Sequence, residues 1–209
     1  MPRKLFTHLS LALEDIADGK IRDEEELVYY CKITDFKQLE KAASKEFQEQ
    51  WEIKVPRSDS NTGSGCVRVR CTGEENKEYT LTAKVHTKQA DKRLENTIES
   101  TEDMFNLFAV LASSGMRKMR YNFPVEGTKL VFEVDIYFKD DGSMAEYCKV
   151  DLELVEKVSK IPELPLKFDS VLLQGVDNTD TEKAFIRGLY DTVFLTKKRL
   201  AVKPEGLPA

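Results

Sequence analysis

The sequence predicts an α+β protein built on an antiparallel sheet with flanking helices. From Glu49 onward, polar and apolar residues alternate with a period of two through segments bounded by Gly, Asn, Asp and Ser. Such alternation sends one set of side chains to each face of a strand. The intervals between these segments are short and rich in turn formers, as in hairpins, which favours antiparallel order. One helical stripe interrupts the series, and helical spacings dominate the residues before it.

Taken in order, apolar residues recur at helical spacings over residues 9–16, 24–30 and 36–47, with Asp35 placed as an N-cap. Strands are expected at 49–56, 66–72, 78–85, 93–98, 116–123, 129–138 and 145–154. Residues 58–65 form a Ser/Asn/Gly-rich loop, and 73–76 and 140–143 read as hairpin tips. A helix is expected over 101–113, where Met104, Phe105, Phe108 and Leu111 form an apolar stripe capped by Thr101 or Ser100. Ile161-Pro162 and Leu164-Pro165 break regularity, 181–189 reads as a late helix, and 203–209 as a loose tail. The expected organisation is a helical extension over 1–47, a sheet domain over 48–200 and the tail 201–209.

The chain has 209 residues, enough for a core of its own, and 33% of them are charged. Against 32 Lys+Arg stand 37 Asp+Glu, a net charge of −5 that argues against a nucleic-acid coat, and there is no DNA-binding signal. No apolar run reaches the roughly 20 residues of a membrane helix, and residues 1–5 lack a signal-like stretch, so a cytoplasmic protein is expected. Cys31, Cys66, Cys71 and Cys148 show no Cys-x-x-Cys pair, and the histidines are His8 and His86. Reduced thiols without a zinc site follow.

Within the strands the charges fall in pairs two residues apart. Gln50, Glu52 and Lys54 share a face, as do Arg68 with Arg70, Arg93 with Glu95, Lys118 with Arg120, Glu133 with Asp135, and Lys149 with Asp151 and Glu153. The bland reading is a solvated sheet surface over an apolar core. Purely basic and purely acidic pairs repel along such a surface, whereas they suit a polyanion with a divalent cation. Guanidinium and ammonium groups neutralise phosphate oxygens, and hard Mg²⁺ or Mn²⁺ takes carboxylate oxygens.

These segments, in this order and phase, resemble the CYTH domain superfamily, the triphosphate tunnel metalloenzymes. The family includes inorganic, thiamine and RNA 5′-triphosphatases and class IV adenylate cyclases. Its opening Glu-x-Glu-x-Lys is similar to Gln50-Trp51-Glu52-Ile53-Lys54, and its Arg-x-Arg to Arg68-Val69-Arg70. Leu81-Thr82-Ala83-Lys84, Arg93-Leu94-Glu95, Lys118-Met119-Arg120-Tyr121, Glu133-Val134-Asp135-Ile136-Tyr137 and Asp151-Leu152-Glu153 resemble the later strands.

The resemblance implies a closed antiparallel barrel with the ionic faces inward. It implies a triphosphate held by Lys54, Arg68, Arg70, Lys84, Arg93, Lys118 and Arg120, and Mg²⁺ or Mn²⁺ held by Glu52, Glu95, Glu133, Asp135, Asp151 and Glu153. Glu52 and Lys54 would act in catalysis. The implied activity is hydrolysis of an inorganic, nucleoside or RNA 5′-triphosphate; a cyclase would use the same grip with a ribose hydroxyl as nucleophile. The chain departs from the pattern at Gln50, which replaces a carboxylate, and at Thr97, which replaces a second acid. A protein that binds nucleotides or polyphosphate without turnover is the alternative.

Outside this pattern, Cys66 and Cys148 are expected in the core, and Trp51 under a helix. His86 is expected at an exposed strand end, and Lys197-Lys198-Arg199 at a solvated helix end. Residues 58–65 lack the spacing of a phosphate loop.

Overall fold

The structure is a computed structural model that describes residues 22–24, 26–55, 65–86, 93–112, 114–139, 141–155, 160–173, 183 and 195–196. Its strands are β1 (Arg22–Glu24), β2 (Glu26–Lys32), β3 (Ser44–Val55), β4 (Gly65–Thr72), β5 (Glu78–His86) and β6 (Arg93–Glu99). They continue with β7 (Ser114–Pro124), β8 (Val131–Phe138), β9 (Met144–Glu153), β10 (Ser170–Leu173) and β11 (Leu195–Thr196). One helix, α1 (Glu102–Leu111), joins β6 to β7. All pair antiparallel in one sheet of order β1-β6-β5-β4-β3-β7-β8-β9-β2-β10, with β11 on β7. Among the described residues no hydrogen-bonded pairing joins β1 to β10, so the path runs open between these edges.

Strands β3 to β9 lie where the alternation predicts them, and the expected helix is α1. Thr101 is its N-cap, accepting from the Met104 backbone N–H at 3.3 Å, and Glu102 and Asp103 stand in the first turn where the helix dipole favours acids. At the 140–143 tip, the Ser143 N–H and hydroxyl both donate to Asp141 Oδ1, at 2.8 and 2.6 Å.

The N-terminal part differs from expectation. Glu26–Lys32 is a strand, between β9 and β10, and among the described residues before β3 helical structure is confined to a 3₁₀ turn at Phe36–Lys41. Asp35 caps that turn, accepting from the Lys37 N–H at 3.2 Å. Residues 44–47 belong to β3 rather than to a helix. The physical reason is that Leu27-Val28-Tyr29-Tyr30-Cys31 is a short apolar run, which fits a buried strand as well as a helix, and pairing with β9 decides it. Residues 1–21, the 181–189 helix apart from residue 183, the 197–199 run and the tail lie outside the described residues.

The apolar phase of the sheet carries two cores. Tyr29, Cys31, Phe132, Val134, Ile136, Cys148, Val150 and Leu152 form the larger, closed over by Leu39 and Leu166. Trp51, Val69 and Leu81 form the smaller, under Met104, Phe105 and Phe108 of α1. Each fully buried side chain of this size stabilises by about 1.5–3 kcal/mol, and these cores offset the cost of a charged opposite face.

Trp51 lies under α1 as expected, and Gly115 stands opposite it across β3 and β7. A Cβ at Gly115 would lie inside the contact radius of the Trp51 ring. Gly115→Ala is therefore expected to destabilise the fold by about 1–3 kcal/mol through overpacking. A lowered urea midpoint at unchanged slope checks this; an unchanged midpoint refutes the tight approach.

Candidate functional site

The registers place the predicted charges on one face, in rows. Across β4, β3 and β7, Arg70 lies opposite Gln50 and Arg68 opposite Glu52, while Gln48 faces Lys118 and Glu46 faces Arg120. The rows continue through Arg120, Asp135 and Lys149, and through Asn122, Glu133 and Asp151. On the other side of β4, Arg68 meets Thr82 and Lys84 meets Glu95.

The β7–β9 half is ion-paired around Asp135, which is 1% exposed. Arg120 grips it with two parallel bonds, Nε to Oδ1 at 2.7 Å and Nη2 to Oδ2 at 2.9 Å. Lys118 donates to the same carboxylate. Burial alone would raise the Asp135 carboxyl, but Lys118 and Arg120 outweigh it and hold it far below the usual carboxylate range. Arg120 also pairs with Glu133, and Lys149 reaches Asp151 at 2.7 Å. Lys118 is pushed down to about 7, chiefly by burial, with Asp135 opposing and Arg120 and Arg70 adding to the shift.

In the β4–β6 half, Glu95 is the shared anion. Lys84 pairs with it, Arg68 Nη2 lies 3.6 Å from Oε1, and the Thr97 hydroxyl donates to Oε1 at 3.3 Å. Thr97 in turn bonds the Thr82 hydroxyl at 3.0 Å.

Arg70 stands apart from these pairs. It makes no ion pair among the described residues, and its buried Nε has no hydrogen-bond partner; the Nε of Arg68 is likewise unmet. Its cross-strand neighbour Gln50 is neutral, and the buried Gln50 oxygen is also unmet. Burial, with Arg68 and Arg120, lowers the Arg70 guanidinium to about 10. Asp135 and Glu95 partly oppose this shift. Half-buried and without a carboxylate partner among the described residues, this guanidinium offers an anionic ligand a charge to neutralise.

No three Asp, Glu, Cys or His side chains among the described residues are gathered as a ready metal site. Asp135, Glu133 and Asp151 are engaged by Lys118, Arg120 and Lys149. What fits a hard divalent ion is the donor chemistry at Glu133, Asp151 and Glu153. Burial holds the Glu133 acid up, and although Arg120 counters it, Asp135, Asp151 and Glu153 add to the rise. A cation there would relieve that crowding.

Of the other predicted residues, Glu52 is half-buried and Lys54 exposed at the end of β3, and Glu153 is exposed on β9. The Arg93 backbone pairs with His86, and both side chains lie outside the described residues. Cys148 is in the core, but Cys66 is not: it stands in the ionic phase, opposite Lys54 and Lys84. The count from Arg68 settles this, since residues two apart share a face. Burial, with Glu52 adding, pushes the Cys66 thiol up to about 11, which keeps it protonated. The alternation on β9 signals Lys149 as a further, half-buried cation of the face. Tyr30 and Glu26 of β2 face Lys149 and Glu153; no signal finds them once β2 is read as helical.

No protein-family model and no curated protein matches the chain. Among solved structures it is similar to the inorganic triphosphatase NE1496, at 16% identity and a TM-score of 0.45, over 78% of this chain and 94% of that one. The PH1819 protein from Pyrococcus horikoshii OT3 is 21% identical, with a TM-score of 0.44 over 85% of this chain and 98% of that one. HpAC1 from Hippeastrum, described as a putative adenylyl cyclase with a dominant triphosphatase activity, is 12% identical, with a TM-score of 0.42 over 80% and 86%.

Proposed function

We propose that this chain is a triphosphate tunnel protein and a metal-dependent phosphohydrolase acting on a triphosphate bound along the ionic face. The observation that carries this reading is Arg70, a half-buried guanidinium whose buried Nε is unmet and which has no carboxylate partner among the described residues, near Arg68 and Arg120. The cross-strand order of the family-like motifs on one face supports it; in this reading that face closes into a tunnel around the ligand. Lys54, Arg68, Arg70, Lys84, Arg93, Lys118 and Arg120 would neutralise the phosphate oxygens and hold the chain for in-line attack. Mg²⁺ or Mn²⁺, held by Glu133, Asp151 and Glu153 with Glu52, Glu95 and Asp135 as further donors, would supply charge neutralisation at the phosphoryl group. Glu52 would orient the attacking water and accept its proton, and Lys54, two residues along β3, would stabilise the phosphate under attack. The cytoplasm is the expected compartment; no helix among the described residues is long and apolar enough to cross a membrane.

Gln50 favours a second reading, a tunnel that binds nucleotide or polyphosphate without turnover, because a neutral amide stands where the family pattern has a metal-binding carboxylate. Phosphate release from tripolyphosphate, ATP and a 5′-triphosphorylated RNA, with Mg²⁺ or Mn²⁺, separates the two. Turnover of at least one substrate is expected. Binding without release of phosphate on any of them overturns the hydrolase reading, and activity gained by Gln50→Glu then locates the defect in the missing carboxylate.

A further inference from the structure

Two buried amides on β3 stand among the cations of the ionic face. Gln48 is 2% exposed and Gln50 6%. Gln48 lies across from Thr72 on β4 and Lys118 on β7, and Gln50 across from Arg70 and Met116. The Gln48 amide is oriented by Glu46, to which its Nε2 donates at 2.7 Å, so its Oε1 is left for another partner. Among the described residues neither Gln48 Oε1 nor Gln50 Oε1 has a hydrogen-bond partner, and the same holds for Arg70 Nε on the neighbouring strand. Buried acceptors are costly to leave unmet.

A fully ionised oxyanion meets only half of this set. Its oxygens accept from Arg70 Nε but bring no hydrogen to the two amide oxygens, and oxygen lone pairs facing each other repel. A hydrogen phosphate meets both halves, its anionic oxygens accepting from the guanidinium and its hydroxyl donating to an amide oxygen. Only an end phosphate of a chain holds such a proton near neutral pH, its second ionisation lying at about 6 as in phosphate monoesters. An inner phosphate has a single ionisable oxygen, which is strongly acidic.

We propose that the amide oxygens of Gln48 and Gln50 read a proton on the bound phosphate, so that the site takes a hydrogen phosphate at a chain end and rejects oxyanions without a proton. This rests on the triphosphate reading above and gives it a specificity: the two amides mark where the phosphate chain ends.

Phosphate and sulfate share a tetrahedral shape and differ in that proton. In the test, each displaces tripolyphosphate from the full chain in a calorimetric competition at about pH 6, without metal so that nothing turns over. Sulfate is the more highly charged there, so attraction to Arg70 and Lys118 alone would favour it. Using one pH for both anions keeps the protonation of Lys118 common to them. Phosphate is expected to compete about tenfold better or more, because a buried acceptor rejects a ligand that cannot donate to it. Gln50→Met and Gln48→Met keep the side-chain length and remove the acceptor. In them this preference is expected to fall at least threefold, while the thermal midpoint holds or rises because an unmet buried acceptor is gone. Sulfate competing as well as phosphate in the unaltered chain overturns the inference alone, whether or not a variant folds. A phosphate preference unchanged in both folded variants also overturns it. Failure of the unaltered chain to bind tripolyphosphate at all overturns the triphosphate reading and this inference with it.

Discussion

Replacing Arg70 by alanine is expected to weaken tripolyphosphate binding by about thirtyfold or more. Truncating one member of a buried charge pair costs about 2–5 kcal/mol, and about 1.4 kcal/mol is tenfold in affinity. The ligand-free protein should show the opposite sign. Arg70 is half-buried and lacks a carboxylate partner among the described residues, so removing it breaks no ion pair there, and the thermal midpoint should hold or rise. Arg68→Ala should have the smaller effect on binding, because Arg68 already shares Glu95 with Lys84. Calorimetric titration and thermal unfolding of the same samples check both signs. Unchanged affinity in both variants removes the anion site from this face.

Asp135→Asn is expected to destabilise the ligand-free fold by about 3–5 kcal/mol, the usual cost of leaving buried charges without their partner. Two cations, Lys118 and Arg120, converge on that one carboxylate, itself 1% exposed. Asparagine keeps the shape and one acceptor but leaves Lys118 without its carboxylate and takes from Arg120 its two-bond partner, leaving it Glu133. The pH dependence has a definite direction. Because the folded carboxyl lies below its unfolded value, the unfolded chain binds the extra proton on acidification. The stabilisation is therefore full above the ordinary carboxylate range, about 3.9, and is lost as the pH falls through and below it. In Asp135→Asn this acid loss should be reduced. Urea unfolding of both proteins from pH 7 down to pH 3 measures the difference, and parallel curves would place the acid sensitivity elsewhere.

Strands β3 to β9 were legible because polar and apolar residues alternate through most of each, and α1 because its apolar stripe follows a capping Thr101. Strand β2 was not, since Leu27 to Cys31 is apolar without a decisive period and its state depends on pairing with β9, more than a hundred positions away in the chain. Cys66 was legible and misread, because its phase follows directly from Arg68. The unmet Nε of Arg70 had no sequence signal. It depends on which residue lies across the strand, and a register shifted by two would set Glu52 there instead of Gln50.

By itself the sequence determined which residues share a face, because side-chain direction in a strand follows from parity alone. It therefore determined that basic and acidic pairs occupy one surface and the core the other. Only the tertiary structure decided how those charges divide, since pairing across strands and curvature of the sheet depend on contacts between distant segments. Asp135 is shared by Lys118 and Arg120, Glu95 is shared by Lys84 and Arg68, and Arg70 has no carboxylate partner among the described residues and lies beside a neutral Gln50. In a buried setting that difference in neighbours separates a structural ion pair from a site with affinity for an anion.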